Sequence, residues 1–265
     1  MSKKKKNNHY FVFIFSCIIL FFLIVYLVCY STENTEKMGE LERAYDLSVD
    51  GICMLYDPEY NSIVSLPSTK FRQDILRELP EGYIFLDYLY QIKNGTLSTF
   101  HRDVTSSSYI FHTKYPVYTA ILYKYDGALF SFCPGSHRTY PFVWSRITNI
   151  HGYRGTVFLF DSELLHAGAM NESSERELVQ YKICHVDDIP KLESLSGVRA
   201  SNDTTVDNTR DSNISFWGKT MRKISYFLEM PIHCFLYPLM MKRENSDNII
   251  GKIQSWIPIS FYNNG

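Results

Sequence analysis

From Tyr83 onward the chain consists of short apolar and aromatic runs separated by polar turns. Six runs follow one another at short spacing: YIFLDYLYQI, STFHRDV, VYTAILYKY, ALFSFC, GTVFLF and ELVQYKICHV. They are enriched in the β-branched and aromatic residues that favour strands. Regularly spaced short strands of this kind are typical of an antiparallel barrel or jelly roll. The sequence therefore predicts a mainly β fold with flanking helices.

One of these runs carries a candidate metal-binding pair, His101 and Asp103. Residues two apart on a strand face the same side, so both side chains can bind one ion. His166, which follows the apolar run Gly155–Phe160 and a short polar turn, is the predicted third ligand. Two histidines and one carboxylate that leave other positions open are the ligand set of non-haem Fe(II) oxygenases.

Arg176 lies ten residues after His166 and opens the last predicted strand. A guanidinium group can hold a carboxylate through two parallel charge-assisted hydrogen bonds. This suits the far end of a dicarboxylate whose other end chelates a metal. The alternative is an ordinary surface arginine.

The strand that follows the metal pair carries further polar candidates, Tyr118, Thr119 and Tyr123. Alternate residues of a strand in a barrel face the interior. Tyr118 and Thr119 are therefore candidates for hydrogen bonds to the carboxylates of a bound dicarboxylate. Filling of the aromatic core is the alternative for the tyrosines.

The order of motifs between residues 51 and 186 is more specific than any one of them. It runs His101-x-Asp103, Cys133-Pro-Gly-Ser-His-Arg, Gly155-Thr-Val, His166-Ala-Gly and Arg176. This order, which covers about half of the chain, resembles the phytanoyl-CoA dioxygenase family of Fe(II)/2-oxoglutarate-dependent oxygenases.

The resemblance implies a double-stranded β-helix of the jelly-roll or cupin-like kind. It implies that His101, Asp103 and His166 bind Fe(II), and that Arg176 binds the distal carboxylate of 2-oxoglutarate. Such enzymes convert 2-oxoglutarate and molecular oxygen to succinate and CO2 while they hydroxylate a C–H bond. Ascorbate is left open as a further cofactor, and the substrate as a small molecule, a lipid or a protein.

Two alternatives to this function stay open. A prolyl or lysyl hydroxylase would share the triad, but those families usually anchor 2-oxoglutarate with a lysine, and Lys182 is a poor match by position. A non-catalytic jelly-roll protein with a binding or structural role would retain the triad without turnover. The net charge of −1 argues against a dedicated nucleic-acid-binding protein.

The N-terminus predicts attachment to a membrane. The basic stretch MSKKKKNNH precedes Tyr10–Cys29, which has no charged residue and the length of a bilayer-spanning helix. Lysines before it and glutamates after it predict a single-pass type II protein. Its catalytic domain would lie in the lumen of the endoplasmic reticulum or Golgi, or outside the cell. A cleaved signal peptide is the alternative.

The predicted organisation has six parts. They are a cytosolic basic tail (1–9), a transmembrane anchor (10–29), a stalk and first helix (30–45), the oxygenase domain (46–190), a polar linker or loop (191–215) and a C-terminal helical cap or membrane-surface segment (216–265). The cysteines outside the anchor form no zinc-binding pattern, and disulfides and buried thiols both remain open for them.

Overall fold

A computed structural model describes residues 13–21, 23–24, 34–41, 43–93, 99–103, 111–139, 146–170, 175–203 and 216–227. Its strands, in chain order, are β1 (Asn34–Lys37), β2 (Ile52–Tyr56), β3 (Tyr83–Phe85), β4 (Tyr88–Lys93), β5 (Tyr118–Tyr123), β6 (Gly127–Phe132), β7 (Thr148–Gly152), β8 (Thr156–Asp161), β9 (His166–Gly168), β10 (Glu177–His185) and β11 (Val198–Asp203). Besides the helical residues 13–21 and 23–24, the described part of the chain contains the α-helices α1 (Leu47–Asp50), α2 (Thr69–Arg77) and α3 (Phe216–Phe227).

The strands form two sheets of mixed direction. The larger has the order β11-β4-β10-β5-β8-β2, with β3 paired to β10, and the smaller has the order β1-β7-β6-β9. The pairs β1–β7 and β11–β4 are parallel, and the other pairs are antiparallel. The predicted mainly β architecture is confirmed, and the two sheets are consistent with a jelly-roll or cupin-like fold.

The alternation of side chains along each strand separates two cores. Between the sheets, Phe130 of β6 stacks on Phe158 of β8 with ring centroids 4.9 Å apart. Ile121, Tyr123 and Leu178 point into the same cluster. This apolar layer joins the two sheets and forms the floor beneath the candidate site.

Helix α2 covers the opposite face of the larger sheet. Ser68 caps its first turn by accepting a hydrogen bond from the backbone N–H of Phe71. Phe71 and Ile75 are fully buried and belong to one cluster with Tyr181 of β10. The apolar stripe of α2 therefore packs on the sheet.

The predicted first helix is not found among residues 34–41 and 43–45, the described part of the segment 30–45, and a short helix begins only at Leu47. Two further segments differ from the sequence prediction. Residues 34–37, assigned to a stalk, form an edge strand on β7, and residues 198–203, assigned to a polar linker, pair in parallel with β4. In both cases the ladder is made by backbone groups, which every residue type except proline supplies, and an edge strand can keep polar side chains in water. Hydrophobic patterning does not reveal strands of this kind.

No helix among the described residues is long and apolar enough to cross a membrane. Within the predicted anchor, residues 13–21 and 23–24 are helical, and its other residues lie outside the described part of the chain. Cys53, Cys133 and Cys184 are buried thiols, not disulfides.

Replacement of Phe158 by alanine should destabilise the fold by about 3–5 kcal/mol, because it leaves a cavity between the sheets. The side chain is fully buried against Phe130 and Tyr123. Denaturant titration measures the change in the free energy of unfolding. Val64→Ala, at a position that is 72% exposed, should change it by less than about 0.5 kcal/mol. Similar losses in the two variants would contradict this packing.

Candidate metal centre

Backbone pairing brings the predicted ligands together. His101 and His166 form an isolated antiparallel bridge in which each backbone N–H donates to the other residue's carbonyl, at 2.9 and 3.0 Å. The backbone N–H of Asp103 donates to the carbonyl of Ser162 at 2.9 Å. The two histidines, 65 positions apart in the sequence, are thus directly opposite each other at the end of β9.

The side chains of His101, Asp103 and His166 converge on one point. Asp103 Oδ1 lies 3.8 Å from His101 Nε2 and 3.7 Å from His166 Nε2. One ligand atom from each of the three residues lies within 4.8 Å of the others, and this is the group of possible metal ligands found among the described residues. Two neutral imidazoles and one carboxylate are the donor set that suits Fe(II) with open positions.

The other ring nitrogen of each histidine fixes its tautomer. Nδ1 of His101 lies 2.9 Å from the carbonyl of Thr99, and Nδ1 of His166 lies 2.8 Å from the carbonyl of Leu164. A carbonyl can only accept, so each Nδ1 carries a proton and donates it. The lone pair of each Nε2 is then left for a metal, which is the arrangement that outer hydrogen bonds give to metal-binding histidines.

Burial and neighbouring charges set the protonation of the site. Burial, followed by the nearby His101, lowers the pKa of His166 to about 3, so its imidazole is neutral. Burial alone would raise the pKa of Asp103, but the nearby Lys182 ammonium group and its hydrogen bond, together with the electrostatic interactions with His166 and His101, hold that pKa well below its usual range. Both groups are therefore in the state that binds a cation.

Lys182 approaches the triad from β10 and is fully buried. Its Nζ donates to Asp103 Oδ2 at 2.6 Å and to Thr119 Oγ1 at 2.7 Å. Thr119, which faces Lys182 across the β5–β10 ladder, donates from Oγ1 to the same Asp103 oxygen at 2.6 Å. Sequence analysis considers Lys182 only as a cosubstrate anchor and does not identify this contact. The signal for it is a lysine in the interior of a mostly apolar strand, on the face shared with Leu178.

The two candidates on β5 separate onto opposite faces. Thr119 contacts a metal-ligand residue directly, within the site. Tyr118 instead packs on Tyr83, with ring centroids 5.2 Å apart, in the outer core beneath α2. The structure therefore does not bring Tyr118 to the triad, because neighbouring residues of a strand point in opposite directions.

Arg176 lies one residue before β10 and is only 4% exposed. In an extended chain it shares its face with Leu178 and Lys182, the face that points between the sheets. Burial raises the pKa of Tyr123, and the positive charges of Arg176 and Arg222 oppose this rise. Both guanidinium groups are therefore close enough to act on an interior phenol.

Further contacts hold the strands that carry the ligands. Arg102, between two ligands, is fully buried and donates to the backbone carbonyl of Ser136 at 3.0 Å and to that of Glu163. Ser136 Oγ accepts from the backbone N–H of Leu165 at 2.9 Å. The Pro-Gly-Ser-His segment is thereby joined to the residues that precede the distal histidine.

Helix α3 packs on both ligand-bearing segments. Arg222 Nη1 donates to the carbonyl of Gly168 at 2.8 Å, and its guanidinium carbon lies 4.5 Å from the centre of the Phe100 ring. Ser225 Oγ accepts from the backbone N–H of Phe100 at 2.9 Å. Tyr226 packs edge-on against the same phenylalanine. Residues 216–227 therefore cover this side of the site.

Comparison with solved structures finds similar chains, some of them described as non-haem enzymes. AviO1 from Streptomyces viridochromogenes Tue57 is 11% identical over 53% of this chain and 92% of its own, with a TM-score of 0.39. SnoN, described as a non-haem α-ketoglutarate-dependent epimerase from nogalamycin biosynthesis, is 14% identical over 64% and 92%, with a TM-score of 0.42.

HygX from Streptomyces hygroscopicus, solved with iron bound, is 15% identical over 53% of this chain and 84% of its own, with a TM-score of 0.37. HygX has also been solved with nickel and 2-oxoglutarate bound. No protein-family profile and no curated protein sequence matches the chain.

The metal-free protein should lose stability as the pH falls below about 6.5, the ordinary pKa of histidine. The folded-state pKa of His166 is lowered to about 3. Between these two pKa values the unfolded chain binds a proton that the folded chain does not. The free energy of unfolding therefore decreases as the pH decreases. This group contributes a slope of up to about 1.4 kcal/mol per pH unit.

Denaturant titrations of the metal-free protein from about pH 6.5 to 4.5 measure this slope. His166→Gln removes the titrating group and should give a shallower dependence on pH. His151→Gln, at an exposed position of β7, is the matched control and should keep the slope of the parent. A slope that is unchanged in His166→Gln would contradict a buried neutral imidazole.

Proposed function

We propose that this chain is an Fe(II)/2-oxoglutarate-dependent dioxygenase of the phytanoyl-CoA dioxygenase-like type, built on a double-stranded β-helix. The observation that supports this most directly is the convergence of two Nε2 atoms and one carboxylate oxygen on a single point. The fixed tautomers of both histidines support the same conclusion.

His101, Asp103 and His166 would hold the iron, with Oδ1 as the carboxylate ligand. When bound, the metal supplies oxygen activation coupled to the oxidation of 2-oxoglutarate to succinate and CO2, with hydroxylation of a substrate C–H bond. The chain contributes position and a dry environment. Phe160 and Phe130 lie against the His166 ring, with centroids 4.5 and 5.4 Å away, and exclude water from that side.

Arg176 is the proposed partner of the distal carboxylate of 2-oxoglutarate. Arg176 and Lys182 are six positions apart in extended chain, so their Cα atoms are about 20 Å apart. An arginine side chain, a five-carbon dicarboxylate and the side chains at the metal site together fill a distance of this order. A buried guanidinium group binds a dianion that extends to it from the metal more favourably than it binds a small neutral ligand.

The contact of Lys182 bears on the alternative of a prolyl- or lysyl-type hydroxylase. This lysine donates to Asp103, one of the proposed metal ligands, so its ammonium group lies beside the proposed metal site. The role of distal anchor is therefore left to Arg176, as in the phytanoyl-CoA dioxygenase-like reading. A non-catalytic binding protein would show the triad without production of succinate.

Arg176→Ala should weaken the binding of 2-oxoglutarate by roughly 10- to 100-fold, since a charge-assisted hydrogen bond contributes about 1.5–3 kcal/mol. Anaerobic titration of the Fe(II)-loaded protein, followed by the visible absorption band of the iron chelate, measures this affinity. Arg154→Ala removes an exposed arginine paired with Asp126 and should bind as the parent does.

Equal affinities in Arg176→Ala and the parent would contradict the proposed anchor. Succinate release in air tests the enzyme itself. Asp103→Ala, which lacks the carboxylate ligand, should produce none above background. Normal release of succinate by a folded Asp103→Ala protein would contradict the proposed metal site.

We further propose that residues 10–29 anchor the enzyme as a single-pass type II membrane protein. The support is the absence of charge over the length of a bilayer span, with four lysines on its N-terminal side. The full chain should remain with membranes after alkaline extraction, whereas a chain of residues 31–265 should not.

Orientation can be read from N-glycosylation, since sequons begin at Asn94, Asn171, Asn202 and Asn213. A lumenal body predicts a glycosidase-sensitive shift in electrophoretic mobility for the full chain expressed in eukaryotic cells. Release of the full chain by alkaline extraction would contradict the anchor, and a body that external protease digests in sealed microsomes would contradict its orientation.

A further inference from the structure

The two oxygens of Asp103 have different surroundings. Oδ1 faces the Nε2 atoms of the two histidines at 3.8 and 3.7 Å. Oδ2 accepts from Lys182 Nζ and from Thr119 Oγ1, each at 2.6 Å. Because both donors lie on the Oδ2 side, the carboxylate is held with a single oxygen toward the point where the ligands converge.

The charge of Lys182 lies wholly inside the protein, at 0% exposure. An ammonium group removed from water requires a charged or hydrogen-bonding partner, and so does a buried carboxylate. Asp103 and Lys182 provide this for each other, and Thr119 is hydrogen-bonded to both. The three groups make a closed arrangement before any metal is bound.

We propose that Lys182 is a positioning residue and an internal counter-ion of the metal centre. With Thr119 it restricts Asp103 to monodentate binding through Oδ1, and its charge balances the carboxylate in the metal-free protein. The inference rests on the metal-binding part of the proposed function and needs no assumption about 2-oxoglutarate.

A fixed positive charge beside the carboxylate has two consequences for the metal. It repels a divalent cation across a poorly screened interior, and so lowers the affinity for the metal. It also adds positive charge to the metal-loaded site, which favours anionic ligands at the open positions. Lys182 thus lowers the affinity for the metal, stabilises the metal-free fold and favours anionic ligands at the metal-loaded site.

Lys182→Met keeps the length of the side chain and removes its charge. At pH 8, titration with Co(II) alone should show binding that is tighter than in the parent by about tenfold or more. The metal-free variant should melt at a lower temperature than the parent, because a buried carboxylate has lost its cation. If Lys182 served only in packing, Lys182→Met would not bind Co(II) more tightly than the parent.

Two further variants separate charge from position. Thr119→Val keeps the lysine and removes one hydrogen bond to Oδ2, so it should change the visible absorption of bound Co(II) without tightening its binding. Lys124→Met is the matched control, because Lys124 lies just beyond β5 and pairs with Glu177 at 3.5 Å, away from the triad. It should bind Co(II) as the parent does.

A double-mutant cycle with Asp103→Asn tests the pairing when Lys182→Met is too unstable to titrate. Lys182→Met combined with Asp103→Asn leaves no unpaired charge, and it should melt higher, or yield more folded protein, than Lys182→Met alone. Additive losses of stability, or Co(II) binding in Lys182→Met that is no tighter than in the parent, would overturn the inference.

The outcomes distinguish this inference from the proposed function. Co(II) binding that depends on Lys182, in a protein that forms no iron chelate with 2-oxoglutarate, would contradict the cosubstrate and leave the counter-ion in place. Formation of the iron chelate, in a protein whose affinity for Co(II) does not depend on Lys182, would contradict the counter-ion role and leave the proposed cosubstrate in place.

Discussion

The backbone bridge between His101 and His166 is the constraint on which the rest of the site depends. It fixes two ligands relative to each other without any contribution from their side chains. The adjoining hydrogen bond from Asp103 to Ser162 then sets the third. The backbone has already brought these residues together, so side-chain contacts only have to orient them. The carbonyls of Thr99 and Leu164 orient the two imidazole rings by accepting hydrogen bonds from Nδ1.

Burial and charge act against each other throughout this centre. Removal from water disfavours an ionised Asp103, and the positive groups around it more than offset that effect. The same removal from water keeps His166 neutral. A dry pocket for a reactive metal can therefore coexist with an ionised ligand only because cationic side chains are buried with it.

Much of this could be predicted from the sequence, for identifiable reasons. The spacing of His101 and Asp103 and the polar turn before His166 are local signals, and the order of motifs places them in one fold. Strand alternation makes Thr119 a candidate for the site. Whether Thr119 or its neighbour Tyr118 faces the site depends on the register of β5 against β10, which residue spacing alone does not fix.

The role of Lys182 and the strands β1 and β11 depend on contacts made across the fold, and they leave little trace in hydrophobic periodicity. The strand that contains Lys182 is mostly apolar, so the pattern indicates that the lysine is enclosed but does not identify its partner. Edge strands held by backbone groups carry no pattern at all. Sequence analysis identified features that depend on local residue spacing, and it missed the Lys182 contact and the two edge strands, which depend on contacts between distant segments.

Helix α3 has a consequence for the order of events during synthesis. Ser225 is 125 residues beyond Phe100, and Arg222 is 54 residues beyond Gly168. Strands from both sheets can therefore leave the ribosome and pair before α3 does, and the ligand-bearing segments receive these two contacts only after α3 has been synthesised. The two segments that carry the ligands therefore pair with each other before α3 is available to cover them.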